Sequence, residues 1–283
     1  MSTIIRNYLG KRGIQLTRLF SVDWRNRDFH PLDILYRTTD LLTPTYVLLH
    51  IPISKCRTQL WHTLENDKNP FVQTIIEYKE EVALNYDLSK MKIYYENYRP
   101  QNAAEVIRLP GNQFMRRIPA YAYTLPWDSN SIEEIFKDRE KDSRKENSRA
   151  GKGIGINAGH TDFGPVEQKK GEIEFNRLIG VYKSIEEKGY REKYFLGDGG
   201  IKGYFLVGEK EEWCFVIQSG KHRAYALAAL GNTKIPVILN FNLKAIKQVS
   251  HVDYWSKVKE GFFSKEEALS VAFRIVNLRD ING

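Results

Sequence analysis

The sequence predicts an α/β fold of the mixed α+β kind, and three observations carry that expectation. Apolar runs of strand length alternate with segments whose apolar residues recur at helical spacing. Residues 216–239 pass from an apolar run through Ser219-Gly220 into an Ala-rich segment, cross a short Gly turn, and leave through Ile235-Pro236-Val237, which is one strand-helix-strand passage. Composition is globular: 42% hydrophobic and 28% charged residues over 283 positions, enough chain for one large domain or two ordinary ones.

Taken in order, residues 1–20 carry Arg6, Lys11, Arg12 and Arg18 and no acid. Gly10 and Gly13 interrupt the apolar face of Ile4, Ile5, Leu9, Leu16, Leu19 and Phe20, so an ordinary basic segment is preferred to a transit peptide or a membrane-surface helix. Residues 46–53 and 91–95 read as strand-like or buried. Residues 71–78 and 102–109 read as helices, the second closed by Pro110-Gly111. Residues 137–152 are almost wholly charged and have no apolar face, which predicts a linker or an exposed helix. The expected organisation is therefore a mixed α/β N-terminal region (1–136), the charged linker (137–152), a second domain (153–250) and a helical C-terminal extension (251–283). Trp24, Trp61, Trp127, Tyr121 and Tyr123 could line a cleft where the halves meet, although large aromatics more often fill cores.

In the second half, residues 156–166 gather Asn157, His160 and Asp162 among two glycines and a proline, the composition of a loop that holds polar side chains rigidly. A helix over about residues 170–188 follows, with Leu178, Val181, Tyr182 and Ile185 on one face and Gly189 as its stop. A glycine-rich turn at 197–200 leads to a hairpin of 203–207 and 213–217 around the acidic turn 209–212. The tail 252–273 reads as helical, with Ser264 and Glu267 spaced as a capping box.

Gly220-Lys221-His222-Arg223 opens the central helix of the strand-helix-strand passage. Amides at a helix start lack intrahelical partners, the dipole adds partial positive charge, and a glycine admits an anion close to the backbone. Three basic side chains then add donors, so a phosphate group is the ligand this pattern fits; its plainer reading is a simple turn with solvated charges. Glu172 and Glu174 stand one turn ahead of Arg177. They either complement the helix dipole or act as a general base or Mg²⁺-holding carboxylate in phosphoryl transfer.

Charge agrees with an anionic partner, since the net charge is +8 and the isoelectric point lies near 9.2. The basic residues are spread rather than striped, so nucleic acid ranks behind a small anionic or hydroxyl-bearing ligand. Cys56 and Cys214 offer neither a disulfide framework nor zinc spacing, and no apolar run approaches the roughly 18 residues a span requires. These features predict a cytoplasmic protein.

The same residues resemble the ParB/sulfiredoxin superfamily over residues 162–240. The box Gly220-Lys221-His222-Arg223, followed by Ala226, Ala229, Gly231 and Ile235-Pro236-Val237, is similar to that family's signature, and Glu174-Phe175-Asn176-Arg177 with Ser184-Ile185 and Gly189 resembles its preceding helix. Lys221 stands where sulfiredoxins place their catalytic cysteine, which argues against sulfinic acid reduction. Lys221 also replaces the glutamate of the partition proteins, the stretch after residue 240 is too short for their DNA-binding and dimerisation domains, and Ser219 replaces the aspartate of the free-serine kinase branch. What the resemblance implies is binding of ATP or another nucleoside triphosphate with Mg²⁺, and kinase activity on a small-molecule hydroxyl. Ser219, Gly220, Lys221, His222, Arg223, Arg177 and His160 would hold the nucleotide, and Glu174, Glu172 or Asp162 would act on the acceptor. A nucleotide-gated DNA-binding protein and a module for a sugar nucleotide or lipid-linked precursor are the alternative expectations.

Overall fold

One mixed sheet organises the described residues, which in this computed structural model are 21–38, 46–65, 68–148, 155–190, 200–210, 212–240 and 245–277. Its strands are β1 (Ser21–Asp23), β2 (Tyr46–Pro52), β3 (Cys56–Thr58), β4 (Lys202–Val207), β5 (Trp213–Ser219), β6 (Lys234–Asn240) and β7 (Ile246–Gln248). They run in the order β1-β2-β6-β4-β5-β3, with β7 also paired to β4. One flank of β4 is shared: Lys202 and Gly203 pair with Ile238 and Leu239 of β6, and Phe205, Leu206 and Val207 pair with β7. The expected hairpin of β4 and β5 is present and antiparallel, with Phe205 opposite Phe215.

The helices are α1 (Pro31–Thr38), α2 (Pro70–Lys79), α3 (Lys90–Asn97), α4 (Ala103–Val106), α5 (Ile132–Ser148), α6 (Gln168–Lys188), α7 (Lys221–Ala229), α8 (Ser256–Lys259) and α9 (Lys265–Asn277). Period-two alternation in the strands divides them between two faces. Phe205, Val207, Phe215, Ile217, Val237 and Leu49 point into one core with Phe71 and Val72 of α2, Phe175 and Leu178 of α6, and the alanines of α7. Tyr204, Leu206, Cys214 and Val216 point the other way, onto α4 and onto Val271, Ala272 and Ile275 of α9. Each fully buried side chain of this kind contributes roughly 1.5–3 kcal/mol from leaving water.

Local signals explain where the helices begin. The Asn69 side chain accepts from the Phe71 and Val72 amides and Pro70 occupies the first position of α2. The Ser264–Glu267 capping box forms reciprocally: Glu267 N–H donates to Ser264 Oγ (3.1 Å) and Ser264 N–H donates to Glu267 Oε2 (2.9 Å). α6 stops at Gly189, as its spacing predicts.

Three expectations are corrected. Residues 91–95 lie in α3, not in a strand: Ser89 caps the helix, and Met91 and Tyr95, four apart, form its buried face. The charged stretch is not a linker over its described residues; its other expected form, an exposed helix, is the one it takes, as the body of α5, begun by Ser131 and Glu134 bonding to each other's amides. Nor does that stretch divide the chain into separate domains, because β1, β2 and β3 precede it and lie in the same sheet as β4–β7. The aromatic residues do not all share a cleft: Tyr123 and Trp127 line one cavity, whereas Trp24 is buried in the opposite core and Trp61 lies away from that cavity in the same core as Tyr123. The basic segment 1–20 and most of the glycine-rich turn lie outside the described residues. Among those described, no helix is long and apolar enough to cross a membrane.

Candidate functional site

β5 ends in exposed Gln218 and Ser219, and the chain then turns at Gly220 into α7. Gly220 has φ +81°, and a Cβ there would lie 2.9 Å from the Gly200 carbonyl oxygen and 3.0 Å from Ile201 Cα, so both conformation and space select glycine. Its carbonyl accepts from the Arg223 (3.0 Å) and Ala224 (3.1 Å) amides. No side chain caps α7, which leaves the Lys221 and His222 amides at its positive end outside the helical ladder.

The side chains at this turn are organised by a loop far away in sequence. Lys221 Nζ donates to both oxygens of Asp162, at 2.5 and 2.7 Å. Asp162 is held in turn by its own backbone: its N–H donates to His160 Nδ1 (3.1 Å), and its carbonyl accepts from Tyr94 Oη (2.8 Å). Tyr95 Oη donates to the neighbouring Thr161 carbonyl (2.7 Å), Lys170 Nζ donates to the Gly159 carbonyl (2.5 Å), and His62 Nε2 lies 3.1 Å from Tyr94 Oη. On the other side, the buried Glu174 carboxyl binds Arg177 Nη1 at 2.7 Å and approaches His222 Nε2 only to 3.8 Å, beyond hydrogen-bond reach.

Electrostatics follow from this packing. Burial works against the charge on Asp162, but the Lys221 ammonium beside it overrides burial and holds the carboxyl well below the usual carboxylate range. Burial pushes His160 and His222 down to about 3 and His62 to about 4, so all three imidazoles are neutral at pH 7. Arg223, among the described residues, has no carboxylate within ion-pair distance.

No protein-family model, curated protein or solved structure matches this chain. The likeness of the Gly220–Arg223 box therefore rests on its residues alone.

Of the residues singled out in the sequence, the structure gathers His160, Asp162, Glu174, Arg177, Lys221 and His222 around Gly220. Glu172 is not among them. It is exposed on α6, accepts from Gln168 Nε2 at 2.9 Å and lies toward the Asp87–Lys92 pair. Ser219 is exposed in register with Lys202 at the strand end. Sequence reasoning missed His62, Tyr94, Tyr95 and Lys170. Tyr94 meets His62 from 32 positions away and Asp162 from 68, so no local pattern announces them. No group of three His, Cys, Asp or Glu among the described residues could hold a metal ion, and both carboxyls at the site are engaged by cations. As arranged, the turn can receive an anion on backbone amides and on Arg223, with one acidified carboxylate alongside.

Proposed function

We propose that the start of α7 holds the phosphates of a nucleoside triphosphate, ATP in the first instance, and that the protein transfers the terminal phosphoryl group to a hydroxyl of a small molecule. The observation that carries this reading is the left-handed Gly220 opening an uncapped helix whose first residues are Lys221, His222 and Arg223. The ParB/sulfiredoxin resemblance of residues 162–240 belongs to the same proposal.

In the reaction the acceptor oxygen forms a bond to the terminal phosphorus while the bond to the bridging oxygen breaks, releasing nucleoside diphosphate. Arg223 and the α7 amides offset charge on the phosphoryl oxygens. Asp162, ahead of Glu172 and Glu174, is the carboxylate placed to orient the acceptor. Its acidity suits it to accept a hydrogen bond from the hydroxyl and to take the proton only as the new P–O bond completes. Mg²⁺ would arrive on the phosphates and neutralise some of their charge.

Calorimetric titration with ATP, CTP, GTP and UTP in Mg²⁺ tests the binding step. Micromolar binding of one nucleotide, lost in Arg223→Ala, is the expected result, and no binding to any of the four overturns the reading. Asp162→Asn should keep binding and lower turnover by about tenfold or more. A second reading, nucleotide binding without phosphoryl transfer, is favoured by the engagement of both site carboxyls by cations. Binding with no phosphorylated product across a hydroxyl-acceptor screen would select it.

A further inference from the structure

A second cavity, of about 500 Å³, lies on the face of the sheet away from α2 and α6, where the start of β4 meets the ends of β5 and β6. Its outer wall is α5. Ile135, Asp138, Arg139 and Asp142 line it at the spacing of one helical face, so the charged stretch that reads as solvated supplies a wall. None of its lining residues belongs to the α7 start, although Tyr123 packs against His160 of the loop beside that start. The size falls within the range of small-molecule sites.

Tyr123 lines this cavity, is 2% exposed, and its hydroxyl has no hydrogen-bond partner among the described residues. Its ring cannot simply swing to water. Arg139 sits over one side, 5.4 Å from the ring centroid, and the His160 and Phe163 rings pack edgewise at 6.2 and 6.4 Å. A buried hydroxyl without a partner forfeits its hydration and gains nothing from the fold; Thr58 Oγ1 is in the same state, but of the two only Tyr123 lines the cavity.

The remaining lining defines that partner. Asp128 accepts from the Leu125 amide (2.8 Å) and the Thr124 hydroxyl (3.1 Å) through the same oxygen, Oδ2, so neither bond occupies Oδ1. Asp138 and Asp142 have no ion-pair partner among the described residues. The carboxylates of Asp128, Asp138 and Asp142 outnumber the two cations of the lining, Arg139 and Lys247, which favours a ligand without a negative charge, and the carboxamides of Gln59, Asn130 and Gln218 disfavour a hydrocarbon. Carboxylates accept from hydroxyls, carboxamides both donate and accept, and the Trp127 and Tyr204 rings, tied by Trp127 Nε1 donating to Tyr204 Oη at 3.0 Å, offer apolar surface for C–H groups. We infer that this cavity is a binding site for a neutral polyhydroxylated molecule, a monosaccharide or cyclic polyol, with the Tyr123 hydroxyl and the Asp128 and Asp142 carboxylates bonded to its hydroxyl groups.

The test is saturation-transfer NMR followed by calorimetry with glucose, galactose, mannose, N-acetylglucosamine and myo-inositol, with glucose 6-phosphate and glucosamine as charged comparators. At least one neutral member should bind, and Tyr123→Phe should weaken it by roughly tenfold, the worth of one hydrogen bond. The thermal midpoint of that variant should stay unchanged or rise, because the hydroxyl holds nothing in the free protein. Asp142→Asn, at a solvent-exposed position on the cavity-lining face of α5, provides an independent variant and should also weaken binding severalfold. Nucleotide titrations of both variants should match the parent protein. Failure of every neutral compound to bind, tighter binding of either charged comparator, undiminished affinity in both variants, or a lowered midpoint in Tyr123→Phe would each overturn the assignment.

Discussion

The Lys221–Asp162 pair and the imidazoles of His62, His160 and His222 set how this protein responds to charge. Replacing Lys221 by Met leaves the part-buried Asp162 carboxylate without its cation, a loss of about 1–3 kcal/mol. Asp162→Asn combined with Lys221→Met should cost less than the sum of the single changes, a coupling that a urea-denaturation cycle reads directly. Acid should act earlier than carboxylate protonation alone would allow. His160 and His222 titrate near 3 and His62 near 4 in the folded chain, against an ordinary value of 6.5. The unfolded chain therefore binds more protons between those values, stability is complete above about pH 6.5, and it falls as pH drops toward 3. Asp162, also depressed, adds to the loss only below its ordinary 3.8. Urea midpoints measured from pH 7 to 4 should decline, and His160→Gln should flatten the slope by about one proton.

Among the elements, the passage from β5 through Gly220 into α7 depends on a single glycine. Gly220→Ala places a Cβ at φ +81° and within 3 Å of the Gly200 carbonyl. A cost of about 1–2 kcal/mol or more for the left-handed conformation is expected, read as a lower urea midpoint. Elements with local causes are readable in the amino-acid order. The β5-α7-β6 passage, the α6 face ending at Gly189 and the Ser264–Glu267 box each depend on residues within a few positions of one another. α3 escapes such a reading because Ile93-Tyr94-Tyr95 has strand-like composition, while the buried pair Met91 and Tyr95 speaks only through its spacing. The site is only partly legible for the same reason. Gly220–Arg223 is a contiguous pattern, whereas the choice of Asp162 over Glu172 depends on a loop pinned by α3 and on which face of α6 turns outward.

Across the molecule, the sheet overrides the compositional boundary. β2 pairs with β6 from Tyr46–Asn240 to Pro52–Lys234, and β3 closes the far side of β5. A fragment of residues 153–283 would expose the β6 edge and strip Val47, Leu49 and Ile51 from the core. It should give poorly dispersed amide NMR spectra where the whole chain gives dispersed ones. A domain division drawn from charge composition fails here because hydrogen bonding between strands carries no trace in local composition.

The placement of the two cysteines makes the sheet's opening observable. Cys56 lies on the three-residue edge strand β3, opposite Phe215, while Cys214 lies one position back on the interior strand β5, and both thiols are fully buried. Burial raises both, Cys214 to about 12, so neither is reactive while the sheet is closed. Alkylation by a small thiol reagent then becomes a clock for local unfolding. If β3 peels away as a separate unit, Cys56 is modified well before Cys214; if the sheet opens all at once, the two are modified together.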